Sequence, residues 1–435
     1  MPRVAVIGGG YAGMAAAVTL AAANISVTVF EAGKHLGGRA RRVEHRGTAL
    51  DNGLHILSGA YTDTLRLIRT VHPAHDAVLL RLPLAWHMHH AFHLQAPRLP
   101  APFHLLFGLL FARGAGWGER FGVARFLAAL RRGGFRLDAD RSVEQLLTDH
   151  RQSAFMKRVF WHPLCVAALN TPPALASAQV FINVLRDTMN ARRAASDLLL
   201  ARVDLSALFP EPAADWVRQH GGTVETGRRV TAIEVNSDCG FTVTAGGLTQ
   251  AFTQVVCALP PHQVGAFLQG MPALSGIAAM LARFEYQPIH SVWLQYDAPV
   301  HLPFPMLGFA DGPLHWVFDR ETLCGQRGLV GAVISAQGSH QALSQDALGA
   351  LVHAELAQRV GGLPNLQWVR VIAEKRATFA CTPDLQRPPA VTPQSGFCLA
   401  GDYTAGDYPA TLESAVRSGI ACANHIAAGI TMQRR

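Results

Sequence analysis

Lysine is nearly absent from this 435-residue chain: Lys34, Lys157 and Lys375 are the only three, and arginine makes up the rest of its 38 basic side chains. Charge of either sign is scarce, at 16% of residues against 49% hydrophobic, which excludes a disordered chain and leaves little charge to coat a surface evenly. The seven cysteines (Cys165, Cys239, Cys257, Cys324, Cys381, Cys398, Cys422) are odd in number, scattered and without a Cys-x-x-Cys pair. That excludes a disulfide framework and a standard zinc site and fits a reducing, cytoplasmic compartment. The longest uncharged apolar run, LPAPFHLLFGLLFA at 99–112, is fourteen residues where a membrane span needs about 20, so no crossing helix is expected. No signal-peptide pattern precedes the strand-like run that begins at Arg3, and no internal repeat or low-complexity tract is present.

What is present begins at once. RVAVIGGGYAGMAAAVTLAAANISVTVFEA supplies an apolar strand, Gly8, Gly10 and Gly13 in G-x-G-x-x-G spacing with Ala12 beside the last, a small-residue helix, and a second strand ending at Glu31 and Ala32. This order predicts a βαβ dinucleotide unit. Gly8 permits the tight turn, Gly10 lets backbone approach a pyrophosphate, and Gly13 lets helix and strand pack closely. The helix N-terminus faces the anion, and Glu31 accepts from ribose hydroxyls. The unit by itself leaves NAD and FAD both open.

The next motifs separate them. HLGGRA sets Gly37, Gly38 and Arg39 just after the second strand, and LDNGLHILSG follows with Asp51, Gly53, Leu54 and His55. These resemble the glutathione-reductase-like flavoproteins of the amine oxidase and phytoene desaturase type. The resemblance implies FAD, with Arg39 as a fixed cation at the pyrophosphate and the Gly53–His55 stretch running beside the flavin ring. Val230, in GRRVTAIEV, matches the position where backbone meets the adenine.

Near the end, GFCLAGDYT predicts a strand that ends at Leu399 and turns through Gly401 and Asp402. Thr411, Leu412, Ala415, Val416, Gly419, Ile420 and Ala423 then trace one helical face, with Pro409 just ahead of the start. In the family the Asp binds the ribityl chain. The helix N-terminus at Thr411 and Leu412 would face the flavin ring and stabilise its reduced, anionic form.

Between these motifs the chain is richer in Pro, His and Arg. His87, His89, His90 and His93 cluster, but their spacing fits no standard metal site and no metal is expected. From Arg98 to Arg136 there are seven Arg and one Glu. Phe103, Leu106, Phe107, Leu110 and Phe111 fall on one helical face, and Phe121, Phe126, Leu127 and Leu130 follow. An arginine-rich, aromatic helix pair is expected either to lie in an anionic membrane surface or to pack on its own core. A nucleic-acid partner is not expected, because the arginines interleave with an apolar face rather than line a groove. Two helices around an Asn-Thr-Pro-Pro turn are expected over 160–189, with polar islands at Asn170, Arg186 and Asp187. Strands follow in HSVWLQYD, HWVFDR and GLVGAVIS, and a helix over 344–360.

The resemblance covers the whole chain. HPLCVAALNTPPALASAQVF, PMLGFADGPLHWVFDR and AGDYTAGDYPATLESAVRSG together are similar to the bacterial hydroxysqualene dehydroxylases, flavoenzymes of squalene and hopanoid synthesis. It implies an α/β fold: a glutathione-reductase-like Rossmann FAD-binding domain, discontinuous over 1–81, 205–265 and 385–435, with a mixed-sheet plus helical substrate domain over 82–204 and 266–384. The implied reaction is reduction of hydroxysqualene to squalene, hydride from the reduced flavin replacing an allylic hydroxyl that leaves as water. Partners would be that long isoprenoid, a membrane surface at 99–136 on the cytoplasmic side, and the upstream hydroxysqualene synthase. Asn170, Trp316, Phe318 and Arg320 are candidates for the substrate wall, and His55, Asp319 and Tyr408 for the acid. An amine substrate is disfavoured, because none of the three lysines stands where the amine oxidases place one near the flavin. An oxidative carotenoid-type desaturase and a flavin-free isoprenoid carrier remain as rivals.

Overall fold

The computed structural model describes residues 2–190, 192–237 and 240–433, so that Cys239 lies outside the described residues. A five-stranded sheet has the order Thr223–Glu225, Ser26–Phe30, Arg3–Ile7, Gln254–Cys257, Phe397–Leu399, every neighbouring pair parallel. Val4, Ala5 and Val6 of its central strand are fully buried, as the unbroken apolar run VAVI requires of a strand covered on both faces. Helix Tyr11–Ala22 lies on this sheet and packs against the terminal helix Leu412–Gln433. Two glycines set that spacing. A Cβ at Gly13 would overlap the Gly8 carbonyl, and one at Gly419 would overlap the Ala12 carbonyl. The chain therefore returns to its beginning after about 400 residues, and the closing helix completes the layer that the first helix starts.

A second, seven-stranded sheet runs in the order Leu366–Phe379, Tyr286–Tyr296, Leu329–Ser335, Trp316–Asp319, Met306–Gly308, Ala85–Met88, Phe92–Gln95. All its pairs are antiparallel except that of Met306–Gly308 with Ala85–Met88. Its strands alternate faces. Val292, Leu294, Ala332 and Ile334 turn to a core shared with helix Gln345–Val360. Ile289, Trp316, Phe318 and Val333 turn the other way, towards the parallel sheet. A small antiparallel sheet of Ile56–Ser58, Leu198–Ala201 and Leu79–Leu82 ties the two regions together.

The helices Phe103–Leu110 and Trp117–Arg132 divide their apolar residues between inside and outside. In the first, His104, Gly108 and Leu109 are buried, while Phe103, Leu106, Phe107, Leu110 and the following Phe111 are exposed, Phe111 to 72%. In the second, Phe126 and Leu130 point into the core, whereas Trp117 and Phe121 are 70% and 69% exposed. The aromatic face at 103–111 thus continues only as far as Phe121. Among the described residues no helix is long and apolar enough to cross a membrane.

Candidate active site

Between the two sheets lies a cavity of about 630 Å³, and residues from both ends of the chain line it. At one end are Gly8, Gly10, Ala12, Glu31, Ala32 and Val230, together with Gly38 and Arg39. Gly8 holds φ +107° and Gly38 φ +61°, the left-handed region in which only glycine is unstrained. No atom lies within 3.7 Å of where a Cβ on Gly10 would stand, so the backbone there is open to close approach. The first helical bond runs from Met14 N–H to the Gly10 carbonyl, leaving the N–H groups ahead of Met14 without intrahelical acceptors. The Glu31 carboxylate accepts from the N–H of Gly9 and of Gly33, each at 2.7 Å, which fixes its position and leaves acceptor capacity for a hydroxyl.

Gly53, Leu54, His55, Gly401, Asp402, Thr411 and Leu412 share the wall with Tyr403. Nη2 of Arg39 donates to Oδ1 of Asp402 at 2.6 Å, and Nη1 donates to the Ala377 carbonyl. Tyr403 is 1% exposed and its hydroxyl has no protein partner. His55 is half-buried, with Nδ1 2.9 Å from the Gly53 carbonyl. Removal from water, reinforced by Arg39 and opposed by that carbonyl, holds its imidazole below the usual range. A neutral ring that donates Nδ1–H to Gly53 leaves Nε2 as an acceptor.

The third side is apolar. Trp316 and Phe318 are almost fully buried, and Trp316 meets Trp86 edge to face at 4.8 Å between centroids. Asn170 also lines the cavity, at the left-handed end of helix His162–Leu169. Its amide is committed to the fold, accepting from Ala336 N–H at 2.7 Å and donating to Thr378 Oγ1 at 3.0 Å.

Of the expected site residues, Gly13, Asp319, Arg320 and Tyr408 are not in this wall. Gly13 is spent on helix packing. Asp319 caps helix Arg320–Cys324, accepting from the Thr322 N–H and hydroxyl at 3.0 and 2.7 Å, as the Asp-x-x-Thr pattern allows. Arg320 turns behind the wall, where Nη1 is 3.6 Å from Oδ2 of Asp51 and its guanidinium stands over Trp293. The Tyr408 hydroxyl donates to Asp187, and burial together with that carboxylate pushes it up to about 12. Sequence reasoning missed Tyr61 and Tyr403 in the wall, although Tyr403 stands inside the GDYT motif, and it set Asp51 with Gly53 and His55 in the stretch beside the flavin ring, whereas Asp51 does not line this cavity. Among the described residues no cluster of side chains is suited to a metal ion.

The residues present suit a flavin dinucleotide: an open glycine cradle at a helix N-terminus, an ionised arginine and a fixed carboxylate line one cavity. Residues 11–427 match the family described as flavin containing amine oxidoreductase. The chain belongs to that family. It is an FAD-dependent oxidoreductase of mixed α/β fold. It is 28% identical to hydroxysqualene dehydroxylase of Rhodopseudomonas palustris over 96% of each chain. It is 25% identical to 15-cis-phytoene desaturase of an Oncidium hybrid cultivar, over 98% of this chain and 77% of that one. Among solved structures, an oxidoreductase from Methanosarcina mazei has the same fold, with a TM-score of 0.74 at 14% identity over 96% of this chain and 99% of that one.

Proposed function

We propose that this family member reduces hydroxysqualene to squalene, releasing water, as a step of hopanoid synthesis. The observation that carries the reading is similarity to a hydroxysqualene dehydroxylase along almost the entire chain, at higher identity than to the carotenoid desaturase. Bound and reduced, FAD supplies the hydride equivalent. Gly8, Gly10, Ala12, Glu31, Ala32, Gly38, Arg39 and Val230 would hold its dinucleotide part, and Gly53, Leu54, His55, Gly401, Asp402, Thr411 and Leu412 its ring and ribityl chain.

The chain's own work is to seat an allylic alcohol, keep water out and place a proton on the departing oxygen. Trp316 and Phe318 offer a dry aromatic wall whose π faces favour positive charge developing on an allylic carbon. Of the three candidate acids only His55 lies in the wall, so His55 is the group placed to protonate the hydroxyl. The exposed side chains Phe103, Leu106, Phe111, Trp117 and Phe121, with the Arg120 guanidinium 4.8 Å over the Trp117 ring, would dock on an anionic lipid surface from which the C30 substrate enters. The division into an FAD domain (1–81, 205–265, 385–435) and a substrate domain (82–204, 266–384) is part of the same reading, as is hand-over from a hydroxysqualene synthase at the cytoplasmic face of the membrane.

The test is a single turnover. Purified enzyme is photoreduced without oxygen and mixed with hydroxysqualene. Reoxidation of the flavin with squalene appearing supports the reading, and a flavin that stays reduced sinks it. Oxidised enzyme that inserts double bonds into phytoene would favour the desaturase instead.

A further inference from the structure

Behind His55 a second, small cavity of about 10 Å³, room for a single water, is lined by Asp51, Arg320, Leu54, His55 and Phe318. Leu54, His55 and Phe318 also line the large cavity, so these side chains form the partition between the two. On the far side Asp51 is 2% and Arg320 3% exposed. Oδ1 of Asp51 accepts from the Leu205 N–H at 2.8 Å, and Oδ2 stands 3.6 Å from Nη1 of Arg320, beyond hydrogen-bond length. A buried carboxyl thus shares the lining of a water-sized space with a guanidinium and an imidazole side chain.

We propose that Asp51 is the proton reserve of the reaction, passing its proton through one water to His55 and so to the leaving hydroxyl. The inference rests on the dehydroxylase reading. In the step, the Asp51 O–H breaks and the water passes the proton to Nε2 of His55; because Nδ1–H is held by the Gly53 carbonyl, the imidazolium swings Nε2–H from the small cavity to the large one and gives that proton to the alcohol oxygen. The allylic C–O bond breaks and the oxygen departs as water, while the hydrogen and electron pair of the new C–H bond come from the reduced cofactor. Asp51 is left as a carboxylate beside Arg320, which stabilises it until a solvent proton replaces the one spent.

Burial, outweighing the attraction of Arg320 and the Leu205 N–H, pushes the Asp51 carboxyl up to about 6, so that it holds its proton in slightly acidic solution. The other groups facing it are Asp204, Arg42, Tyr11 and Cys324. Arg42 is engaged by Asp204 and Glu211, the Tyr11 hydroxyl donates to the Leu205 carbonyl, and burial raises both Tyr11 and Cys324.

The test is the pH dependence of flavin reoxidation and squalene formation in a single turnover of prereduced holoenzyme, from pH 5 to 8, for wild type and D51N. The amide keeps an acceptor for the Leu205 N–H but carries no acid proton. For wild type the rate is expected to fall about tenfold per pH unit above pH 6. For D51N, with flavin content and absorbance spectrum unchanged, the rate at pH 6 is expected to fall about 100-fold and the pH dependence to vanish. A D51N enzyme with the wild-type rate and profile overturns the proposal. If D51N loses its flavin, the wild-type profile decides: squalene formed at a rate independent of pH overturns the proton route alone. No squalene from wild type at any pH overturns the dehydroxylase reading and the route with it.

Discussion

Arg39 Nη2 lies 2.6 Å from Asp402 Oδ1, across 363 residues of chain. The arginine closes the first nucleotide motif and the aspartate opens the last, so one ion pair joins the two ends of the chain at the wall of the cavity. Removing either partner leaves the other charge unpaired, Arg39 half-buried or Asp402 buried. R39A and D402A are each expected to weaken FAD binding about 10- to 100-fold, read as flavin fluorescence against added apoprotein, with R39K intermediate because it loses the guanidinium fork. Unchanged affinity in both variants would remove the pair from the site.

Chain returned from residue 397 onward supplies the fifth strand and the closing helix. A protein ending at residue 396 is expected to be colourless after purification, because Asp402, Tyr403 and Leu412 go with the missing segment. A soluble truncated protein that keeps yellow flavin at full occupancy would contradict this.

Gly419 stands where the terminal helix crosses the first, and a methyl group there meets the Ala12 carbonyl. Because that contact is backbone, relief requires the helices to separate. G419A is expected to cost about 1–3 kcal/mol, seen as a lower denaturation midpoint and faster flavin release on dilution.

Asp319 and His55 make opposite predictions. D319A should lower stability by about 1 kcal/mol through loss of a helix cap while leaving single-turnover reoxidation within about twofold of wild type. H55A should leave the melting temperature near wild type and slow reoxidation about 100-fold or more. The reverse pattern would move the acid to Asp319.

Acid sensitivity has an identifiable source. Burial holds the His87 and His315 rings down to about 4, each with a neighbouring histidine adding to the effect. Their pKa values in the folded state lie below those in the unfolded chain, so the unfolded state binds more protons between pH 6.5 and 4. Stability is expected to be full above pH 6.5 and to be lost as pH falls towards 4, by at most about 3 kcal/mol per ring. H87Q, measured by chemical denaturation from pH 4 to 7, should flatten this slope, and an unaltered slope would place the sensitivity elsewhere.

The exposed aromatic face gives the last prediction. Co-sedimentation with vesicles containing anionic lipid should be strong for wild type and reduced about tenfold or more in a protein carrying F111S, W117S and F121S, whose flavin spectrum should be unaltered. Equal sedimentation would leave the patch unexplained by lipid.

Much of this was legible beforehand because short motifs specify backbone. The glycines at 8, 13 and 38 are constrained by close approach or by φ, and Glu31 and Arg39 stand at fixed distances along the chain from them. Trp316 and Phe318 are candidates through the resemblance, which lays their sheet over the flavin, and both line the cavity. The miss at Asp319 has a local cause: a carboxylate three residues before a threonine at a helix start is consumed by capping. Tyr408 and Arg320 were drawn away by Asp187 and Asp51, partners far off in sequence.

By itself, then, the sequence determined the βαβ cradle and the strand and helix types, which follow from local spacing and periodicity, and the family through the resemblance that its motifs carry. Only the tertiary structure decided which polar side chains face the cavity, which aromatics of 103–121 face outward, and that Asp51 and His55 line one small cavity. Such facts depend on contacts between residues tens to hundreds of positions apart, and a choice between solvent, salt bridge and cavity is made by packing rather than by neighbours along the chain.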